Sequence, residues 1–307
     1  MPKQYWINSG IWFGKDLIPT GFRYATTPFI FSSSNGEFNL MITVRDLENR
    51  SLPISAPFNS IADLNGPLAF SEPLLSIGPP GSFDENGIMA CQVINTGDRT
   101  LLFYIGWNLG ISVPFRNSIG MAELVAGKWE KSFPGPILDR NRLDSCFVAS
   151  PFVIQEADHF KLYYLSCKSW EKDEAGKLTH KYNLSYARST DLVTFEITGH
   201  TVIDFKNEYE IAISRPCVIH EHGIYKMWYS FRGSKGNPYY RIGYAESSNG
   251  TDWKRLDNKL SIQTKGHGFD DVMQCYPFVF DYLGERYMLY NGNGYGQSGF
   301  GVLKLDK

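Results

Sequence analysis

The sequence predicts an all-β fold, a five-bladed β-propeller whose N-terminal strand closes the last blade. The first observation is a repeat, because an apolar segment that starts at or near a proline recurs along the whole chain of 307 residues. Its copies lie at 28–31, 90–94, 151–154, 216–219 and 277–280, at steps of 62, 61, 65 and 61 residues, and the copy at 90–94 is degenerate. A fixed period over an entire chain is typical of repeat architectures such as propellers.

The second observation is that each copy leads into further strands. An aromatic strand follows every copy, at 40–44, 101–105, 162–165, 225–229 and 287–290. A third strand follows in the later repeats, at 118–122, 184–187, 242–245 and 300–303. The fifth repeat ends there, so we expect the stretch around Tyr5, Trp6 and Ile7 to supply its outer strand and to cover an open sheet edge. No linker interrupts the period, which predicts a single domain over residues 1–307.

Composition and charge exclude several classes of function. The formal net charge is −2, whereas nucleic acids and anionic membranes require a basic surface. No apolar segment approaches the ~20 residues of a membrane span. The N-terminus lacks the apolar region of a signal peptide, and we expect a cytoplasmic protein.

Metals and disulfides are not predicted either. The spacing of the five cysteines matches no disulfide framework, and we expect them to be reduced thiols in the core. His220, Glu221 and His222 have a tempting spacing for a metal, but we expect them in a solvated hairpin between two strands. No cofactor is predicted; a structural calcium ion stays open, although no ligand loop requires one.

Candidate binding residues gather where the topology brings strand ends together. Antiparallel neighbours place the start of the first strand, the end of the second and the start of the third at one face. Acids precede the first strands of four repeats, namely Asp84 with Glu85, Asp144, Glu210, and Asp270 with Asp271. The first repeat has Arg23 there instead. The same face is predicted to receive Arg45, Trp107, Arg116, Trp170, Arg232, Tyr240, Asn291, Asn293 and Tyr295. Arg215 and Tyr276, directly before two of the prolines, are predicted to point toward the central channel.

That mixture of residue types suits a sugar. Carboxylates and amides bind hydroxyl groups, guanidinium groups bind carboxylate or phosphate in pairs, and aromatic rings stack on the apolar face of a pyranose. Paired acids can also perform general acid–base chemistry. The alternative is structural, since acids before a strand can cap turns and arginines can tie blades together.

Three phrases carry a family resemblance. Residues 81–87, residues 213–216 with 227–230, and residues 290–296 together resemble the five-bladed propellers of a glycoside hydrolase superfamily. That superfamily includes arabinanases, β-xylosidases, invertases and mannoside phosphorylases. The resemblance covers essentially the whole chain and points to a glycosidase-like subgroup that is often associated with bacterial surface-polysaccharide genes. It implies a carbohydrate ligand in the funnel of the propeller.

The catalytic pattern of the related arabinanases and xylosidases does not transfer. Their general base stands directly before the first-blade proline, where this chain has Thr27. Their pKa-tuning acid corresponds to Ser150 or Ala90, and their general acid to Ser214. All three positions lack a carboxylate, so any catalysis must use other acids or a different chemistry.

Two functional hypotheses follow. In the first, the chain is a glycosidase-like enzyme in which Glu210 is the general acid and Asp270 or Asp271 is the base or nucleophile. Asp84, Glu85, Arg116 and Arg215 would then hold hydroxyl groups or an anionic group, and phosphorolysis is one variant. The arginines favour an anionic or activated ligand, such as a uronic acid, a sugar phosphate or a nucleotide-linked sugar. In the second hypothesis, the chain is a propeller that binds carbohydrate or protein without catalysis.

Overall fold

The computed structural model describes residues 3–33, 36–173, 176–266 and 268–306. Their regular structure consists of β-strands and four short 3₁₀ turns, Lys15–Leu17, Ile61–Asn65, Asp257–Lys259 and Asn293–Gly296. The all-β prediction is therefore confirmed. Among the described residues, no helix has the length and apolar character needed to cross a bilayer.

The strands follow the predicted repeat. In chain order they are β1 (Gln4–Phe13), β2 (Arg23–Ser32), β3 (Phe38–Arg45), β4 (Ser51–Pro57), β5 (Gly87–Thr96), β6 (Arg99–Leu109), β7 (Phe115–Val125), β8 (Lys128–Lys131), β9 (Phe147–Gln155), β10 (Phe160–Lys172), β11 (Leu178–Ser189), β12 (Glu196–Ile203), β13 (Glu210–Glu221), β14 (Ile224–Gly233), β15 (Arg241–Ser247), β16 (Lys254–Arg255), β17 (Leu260–Ile262), β18 (Cys275–Tyr282), β19 (Glu285–Asn291) and β20 (Phe300–Leu305).

The chain divides into two compact units. Unit 1 contains Met1–Leu74, Cys217–Ser230 and Tyr239–Lys307, and unit 2 contains Leu75–Pro216 and Phe231–Pro238. The division passes through β13 and β14, and the other strands belong to one unit each. The five-bladed arrangement in a single domain stays a prediction.

Unit 2 shows the predicted blade pattern. Strands β5, β6, β7 and β8 pair in sequence as antiparallel neighbours, and so do β9, β10, β11 and β12. The core between these strands is built from alternating apolar residues such as Leu101, Phe103, Ile119, Leu162 and Tyr164, all without exposed surface. Alternation of this kind places every second side chain on the same face of a strand.

Unit 1 contains the last sheet, in the order β17, β1, β20, β19 and β18. The N-terminal strand β1 runs antiparallel to β20, with Trp6 opposite Leu305 and Phe13 opposite Phe300. Phe13 and Phe300 also stack, with ring centroids 5.0 Å apart. The prediction that the N-terminal stretch supplies the outer strand of the last repeat is confirmed. Strands β2, β3 and β4 form a second antiparallel group in the same unit.

The residue before the proline of the repeated segment has an unusual backbone. In four of the five copies it lies in the left-handed region, and these residues are Thr27 (φ 52°), Ser150 (φ 51°), Arg215 (φ 52°) and Tyr276 (φ 56°). The pairing register shifts at three of the four, between 26 and 29, between 149 and 152, and between 275 and 278. Bulges that re-aim side chains, and non-glycine residues at positive φ, are enriched at functional sites.

Candidate functional site

The acids that precede the first strands are mostly structural. Three of them are aspartates with no more than 1% of their surface exposed, and each accepts a hydrogen bond from a tyrosine hydroxyl twenty residues later. The pairs are Asp84 with Tyr104 (3.5 Å), Asp144 with Tyr164 (2.9 Å) and Asp270 with Tyr290 (2.7 Å). Burial, and then the aspartate charge, raises the pKa of each tyrosine, so the hydroxyl stays a donor.

Small residues on the third strands make room for these tyrosines. Gly120 lies opposite Tyr104, and Gly301 lies opposite Tyr290. A Cβ at Gly301 would lie 2.8 Å from Cε1 of Tyr290, and one at Gly120 would collide with the Tyr104 ring. The glycines are thus required by the ring that crosses them, and the aspartate, tyrosine and glycine form one repeated packing unit.

The two aspartates of unit 2 have further partners. Lys131 Nζ donates to Asp84 Oδ2 at 2.6 Å. Asn141 Nδ2 donates to Asp144 Oδ2 at 2.9 Å, and the Ser166 hydroxyl donates to the other oxygen. Buried carboxylates with this many partners stabilise the fold and have little capacity left for a ligand.

Asp270, predicted as a catalytic base or nucleophile, is fully buried. In addition to Tyr290, the backbone amides of Lys265 (2.9 Å) and Gly266 (2.6 Å) donate to its two oxygens. A catalytic carboxylate must reach the substrate directly or through one water. We therefore interpret Asp270 as a structural carboxylate that organises the loop before β18.

The neighbouring Asp271 is exposed and differs from Asp270 in its surroundings. Asn293 Nδ2 donates to its Oδ1 at 2.7 Å, and this hydrogen bond lowers the pKa of Asp271. The Asn293 Oδ1 in turn accepts the amides of Val272 (3.1 Å) and Met273 (2.9 Å). Asn293 therefore orders the loop and holds the charged Asp271 in place, and its predicted role in ligand binding stays a prediction.

The side chains of three more predicted residues accept hydrogen bonds from backbone amides. Glu210 is 7% exposed, and its Oε2 accepts the Lys206 amide at 2.8 Å. Glu85 Oε2 accepts the Gly81 amide at 2.6 Å. Asn291 is fully buried, and it was expected to bind substrate.

Asn291 ties the end of β19 to β2. It accepts the Thr27 amide at 2.8 Å and donates to the carbonyl oxygens of Ala25 (2.7 Å) and Gly299 (3.0 Å). All three of these hydrogen bonds join the Asn291 side-chain amide to backbone groups. These contacts give Asn291 a structural role, and its role in substrate binding stays a prediction.

Among the remaining predicted residues of unit 2, one is buried and the others are half-buried. Arg215 is 7% exposed and its Nη1 lies 2.9 Å from Cys91 Sγ. Trp107 at the end of β6 and Arg116 at the start of β7 are half-buried. Arg232 is half-buried beside His180.

Within unit 1, aromatic and cationic side chains come together. We define the tyrosine–arginine cluster as Arg23, Tyr24, Arg45, Tyr240, Tyr276 and Tyr295. The ring centroids of Tyr240, Tyr276 and Tyr295 lie 6.0 to 6.3 Å from one another. Tyr276 and Tyr295 are accessible, and Tyr295 is 45% exposed.

The two arginines of the cluster repel each other. Arg23 and Arg45 lie directly opposite across β2 and β3. The adjacent Asp46 is engaged by Arg50, with Arg50 Nε 2.7 Å from Asp46 Oδ2. Burial lowers the pKa of Arg45, the charge of Arg23 lowers it further, and Tyr24, Tyr276 and Asp46 oppose the shift. Like charges opposite each other destabilise a sheet, and a bound anion would relieve that cost.

Three tyrosines of the cluster have left-handed backbone, namely Tyr24 (φ 66°), Tyr276 (φ 56°) and Tyr295 (φ 60°). Bulky residues are rarely found there because the Cβ approaches the backbone, at a cost of about 1–2 kcal/mol each. The sequence predicted Arg23, Tyr276 and Tyr295 as binding residues and did not mark Tyr24. Arg45 and Tyr240 were expected at this face, but nothing in the sequence marked the strained backbone of Tyr24.

No metal centre accompanies these groups in the part of the chain that the structure describes, where no three His, Cys, Asp or Glu side chains converge. Glu221, of the His220–His222 segment, is bound instead by Arg286 and Lys226, at 2.7 and 2.6 Å. These cations lower the pKa of Glu221 to about 2.

Solved structures share this fold. The chain superposes on a glycoside hydrolase with a TM-score of 0.75 at 17% identity, covering 98% of this chain and 92% of the other. An α-L-arabinofuranosidase from Lactobacillus brevis gives 0.67 at 13% identity, covering 95% and 93%. The catalytic domain of an α-L-arabinofuranosidase from Coprinopsis cinerea gives 0.67 at 12% identity, covering 99% and 97%. The predicted likeness to the propeller glycoside hydrolases is confirmed for the fold.

Sequence relatives define the family. No profile of a known protein family matches the chain. Two curated proteins of Mycobacterium tuberculosis, Uncharacterized protein MT1551 and Uncharacterized protein Rv1502, are 36% and 35% identical to it over 237 residues, 77% of each chain. The chain belongs to their family. This chain thus combines the fold of solved glycoside hydrolases with no more than 17% sequence identity to the three compared above.

Proposed function

We propose that the chain is a carbohydrate-active protein that binds an anionic sugar at its tyrosine–arginine cluster. The observation that carries this proposal is the facing pair Arg23 and Arg45 beside accessible tyrosines, in a protein with the fold of glycoside hydrolases. The ligand is a uronic acid, a sugar phosphate or a nucleotide-linked sugar. We also propose that residues 1–307 form a single domain, a five-bladed propeller.

The chemistry of the cluster supports an anionic group. Guanidinium groups bind carboxylate and phosphate oxygens through paired, charge-assisted hydrogen bonds. An anion between Arg23 and Arg45 would replace a repulsion by two attractions. The rings of Tyr276 and Tyr295 offer faces against which the apolar side of a sugar can lie.

Hydrolysis or a related transfer of the sugar is a second step of the proposal. Asp271 supports it, because this charged and exposed carboxylate lies on the loop that Asn293 connects to Tyr295. The backbone of the same loop also accepts a hydrogen bond from Arg241, next to Tyr240, at Val272. Asp271 of unit 1 is our candidate base or nucleophile, and Glu210 of unit 2, the predicted acid, is tested separately.

Binding without catalysis is the alternative. The positions at which related arabinanases keep their acids hold Thr27, Ser150 and Ser214, and three pre-strand aspartates are structural.

A cytoplasmic location agrees with the five free cysteines of the described residues, since a reducing compartment keeps thiols unpaired. Polysaccharide metabolism in such a compartment uses activated, anionic sugars.

A binding experiment tests the anionic ligand. Isothermal titration with glucose, glucuronic acid, glucose 6-phosphate and UDP-glucose should show a preference for at least one anionic compound. The variant Arg45→Gln should lower that affinity at least tenfold, whereas the exposed Arg140→Gln should not change it. Equal or absent binding of all four compounds would contradict the proposal.

An activity experiment separates enzyme from binding module. Chromogenic glycosides and the anionic ligand identified above would be incubated with the wild type, Asp271→Asn and Glu210→Gln. An enzyme loses turnover in these variants and keeps its affinity. A binding module shows no turnover in any of the proteins.

A further inference from the structure

Strands β10 and β11 of unit 2 extend beyond their neighbour. The pairing of β10 with β9 ends at Cys167 opposite Phe147. The pairing of β10 with β11 continues past a register shift to Lys172 opposite Leu178. This end of the hairpin is a two-stranded ribbon, which is marginally stable unless its side chains pack on something else.

Aromatic rings supply that packing. Trp170 and His180 lie opposite each other across the ribbon, with ring centroids 5.1 Å apart and at right angles. Phe115 lies 5.3 Å from Trp170, and Tyr182 stacks on His180 at 4.7 Å. Phe147 and Tyr182 are buried, whereas Phe115, Trp170 and His180 keep part of their surface exposed.

One guanidinium group completes the arrangement. Arg232 Nη2 lies 3.4 Å from Nε2 of His180. Burial, and then the charge of Arg232, lowers the pKa of His180 to about 4. The imidazole is therefore neutral at pH 7, and Nε2 accepts from Arg232 when the proton is on Nδ1. We call Phe115, Trp170, His180 and Arg232 the ribbon platform.

We propose that the ribbon platform is a second carbohydrate subsite, one that takes the pyranose ring of a neutral sugar. Its three uncharged, partly exposed rings suit the apolar C–H face of a pyranose, and Arg232 provides donors for hydroxyl groups. Rings needed only to anchor the ribbon would be buried like Phe147 and Tyr182. The proposal rests on the carbohydrate activity proposed above, but it uses none of the residues of the tyrosine–arginine cluster.

Fluorine NMR can test the subsite directly. The chain has 7 tryptophans, and labelling with 5-fluorotryptophan gives each a resonance that a Trp→Phe variant assigns. Titration with the methyl pyranosides of glucose, galactose and mannose should shift the Trp170 resonance for at least one sugar. The Trp253 resonance should stay unchanged, because that indole donates to Gly250 in a turn after β15.

Variants measure the contribution of each group. Trp170→Ala should weaken binding of the effective pyranoside at least tenfold, and Arg232→Gln should weaken it severalfold. Trp170→Phe keeps an aromatic ring for the ribbon and serves as the folded control if the alanine variant is unstable. An unchanged Trp170 resonance with all three sugars would overturn the subsite.

The outcome is distinguishable from that of the anionic site. Arg45→Gln should leave neutral pyranoside binding at Trp170 intact. If the wild type binds none of the anionic compounds but shows the Trp170 response, only the cluster proposal is contradicted. If the wild type binds an anionic compound but shows no Trp170 response, only the subsite is contradicted.

Discussion

Two positions of the repeat behave in opposite ways. The aspartate before the first strand is chemically the same in three repeats, is buried, and binds a tyrosine twenty residues later. The residue before the proline differs between the repeats, and it is Thr27, Ser150, Arg215 or Tyr276. These four residues have only their left-handed backbone conformation in common. The first position repeats a side chain, and the second repeats a backbone conformation.

The difference teaches where function can reside in a repeat protein. A side chain that recurs in every unit with the same partner serves the packing common to all units. A strained backbone that carries a different side chain each time presents those side chains individually, as at Tyr276 in the tyrosine–arginine cluster. Four predictions test this comparison.

The largest effect is expected at Asp270. Asp270→Ala should lower the free energy of unfolding by about 3–4 kcal/mol, because the Tyr290 hydroxyl and two backbone amides lose their acceptor in a buried place. Urea unfolding measures the change. The matched control is Asp271→Ala, whose exposed carboxylate should leave the unfolding midpoint unchanged. A variant of Asp270 that unfolds normally but loses turnover would restore the catalytic interpretation.

The second effect concerns His180 and pH. Its pKa in the folded state, about 4, lies below the ordinary value of 6.5, so folding favours the neutral ring. This contribution to stability is complete above pH 6.5 and is lost as the pH falls towards 4. It amounts to about 3 kcal/mol at most, and partial exposure of the ring reduces it to about 1–2 kcal/mol.

Denaturation at pH 7.5, 5.5 and 4.5 measures the His180 contribution. The variant His180→Gln should lose less stability than the wild type between the first and last of these conditions. Folding lowers the pKa of Glu221 from 4.5 to about 2, so the contribution of Glu221 to stability is lost mainly below pH 4.5. Parallel pH curves for the wild type and His180→Gln would show that the imidazole is solvated.

The third effect is at the left-handed position of Ser150. Ser150→Val should destabilise the protein by about 1 kcal/mol, because a β-branched side chain is strained at positive φ. Ser150→Gly removes the strain and should stabilise by about 0.5 kcal/mol after the entropy of glycine is included. Melting temperatures of the two variants give the comparison. The reverse order would mean that the side chain, not the backbone, defines this position.

The smallest effect is at Arg23. Replacing it by glutamine removes one of two facing cations, and we expect stability to rise by about 0.3 kcal/mol while the affinity for an anion falls. Opposite signs in the two measurements distinguish a binding residue from a structural one. A decrease in both stability and anion affinity would mean that Arg23 has a structural role.

The sequence predicted the strands well because the period is encoded in apolar side chains. The outer strand at Trp6 also followed from counting, since the last repeat lacked one strand. The roles of the acids did not follow. Asp270 and Asp271 are adjacent in sequence, and only the hydrogen bonds from Tyr290, Lys265 and Gly266 show that the first is enclosed.

A signal for the structural acids was nevertheless present. The interval of twenty residues between aspartate and tyrosine recurs at Asp84, Asp144 and Asp270. In two of these three repeats a glycine follows on the third strand, at Gly120 and Gly301. By contrast, the cluster around Tyr24 and Arg45 depends on backbone conformation and strand register, which the composition of a single sequence does not contain.

The pairing of β1 with β20 has a consequence for synthesis. Trp6 meets Leu305, so the first strand leaves the ribosome long before its partner has been translated. At ~5–20 residues per second, the delay is about 15–60 s. During that time one edge of the nascent chain carries Trp6 and Phe13 without the strand that later covers them. This sheet can be completed only after its last strand has been made, and the N-terminal strand stays accessible to chaperones until then.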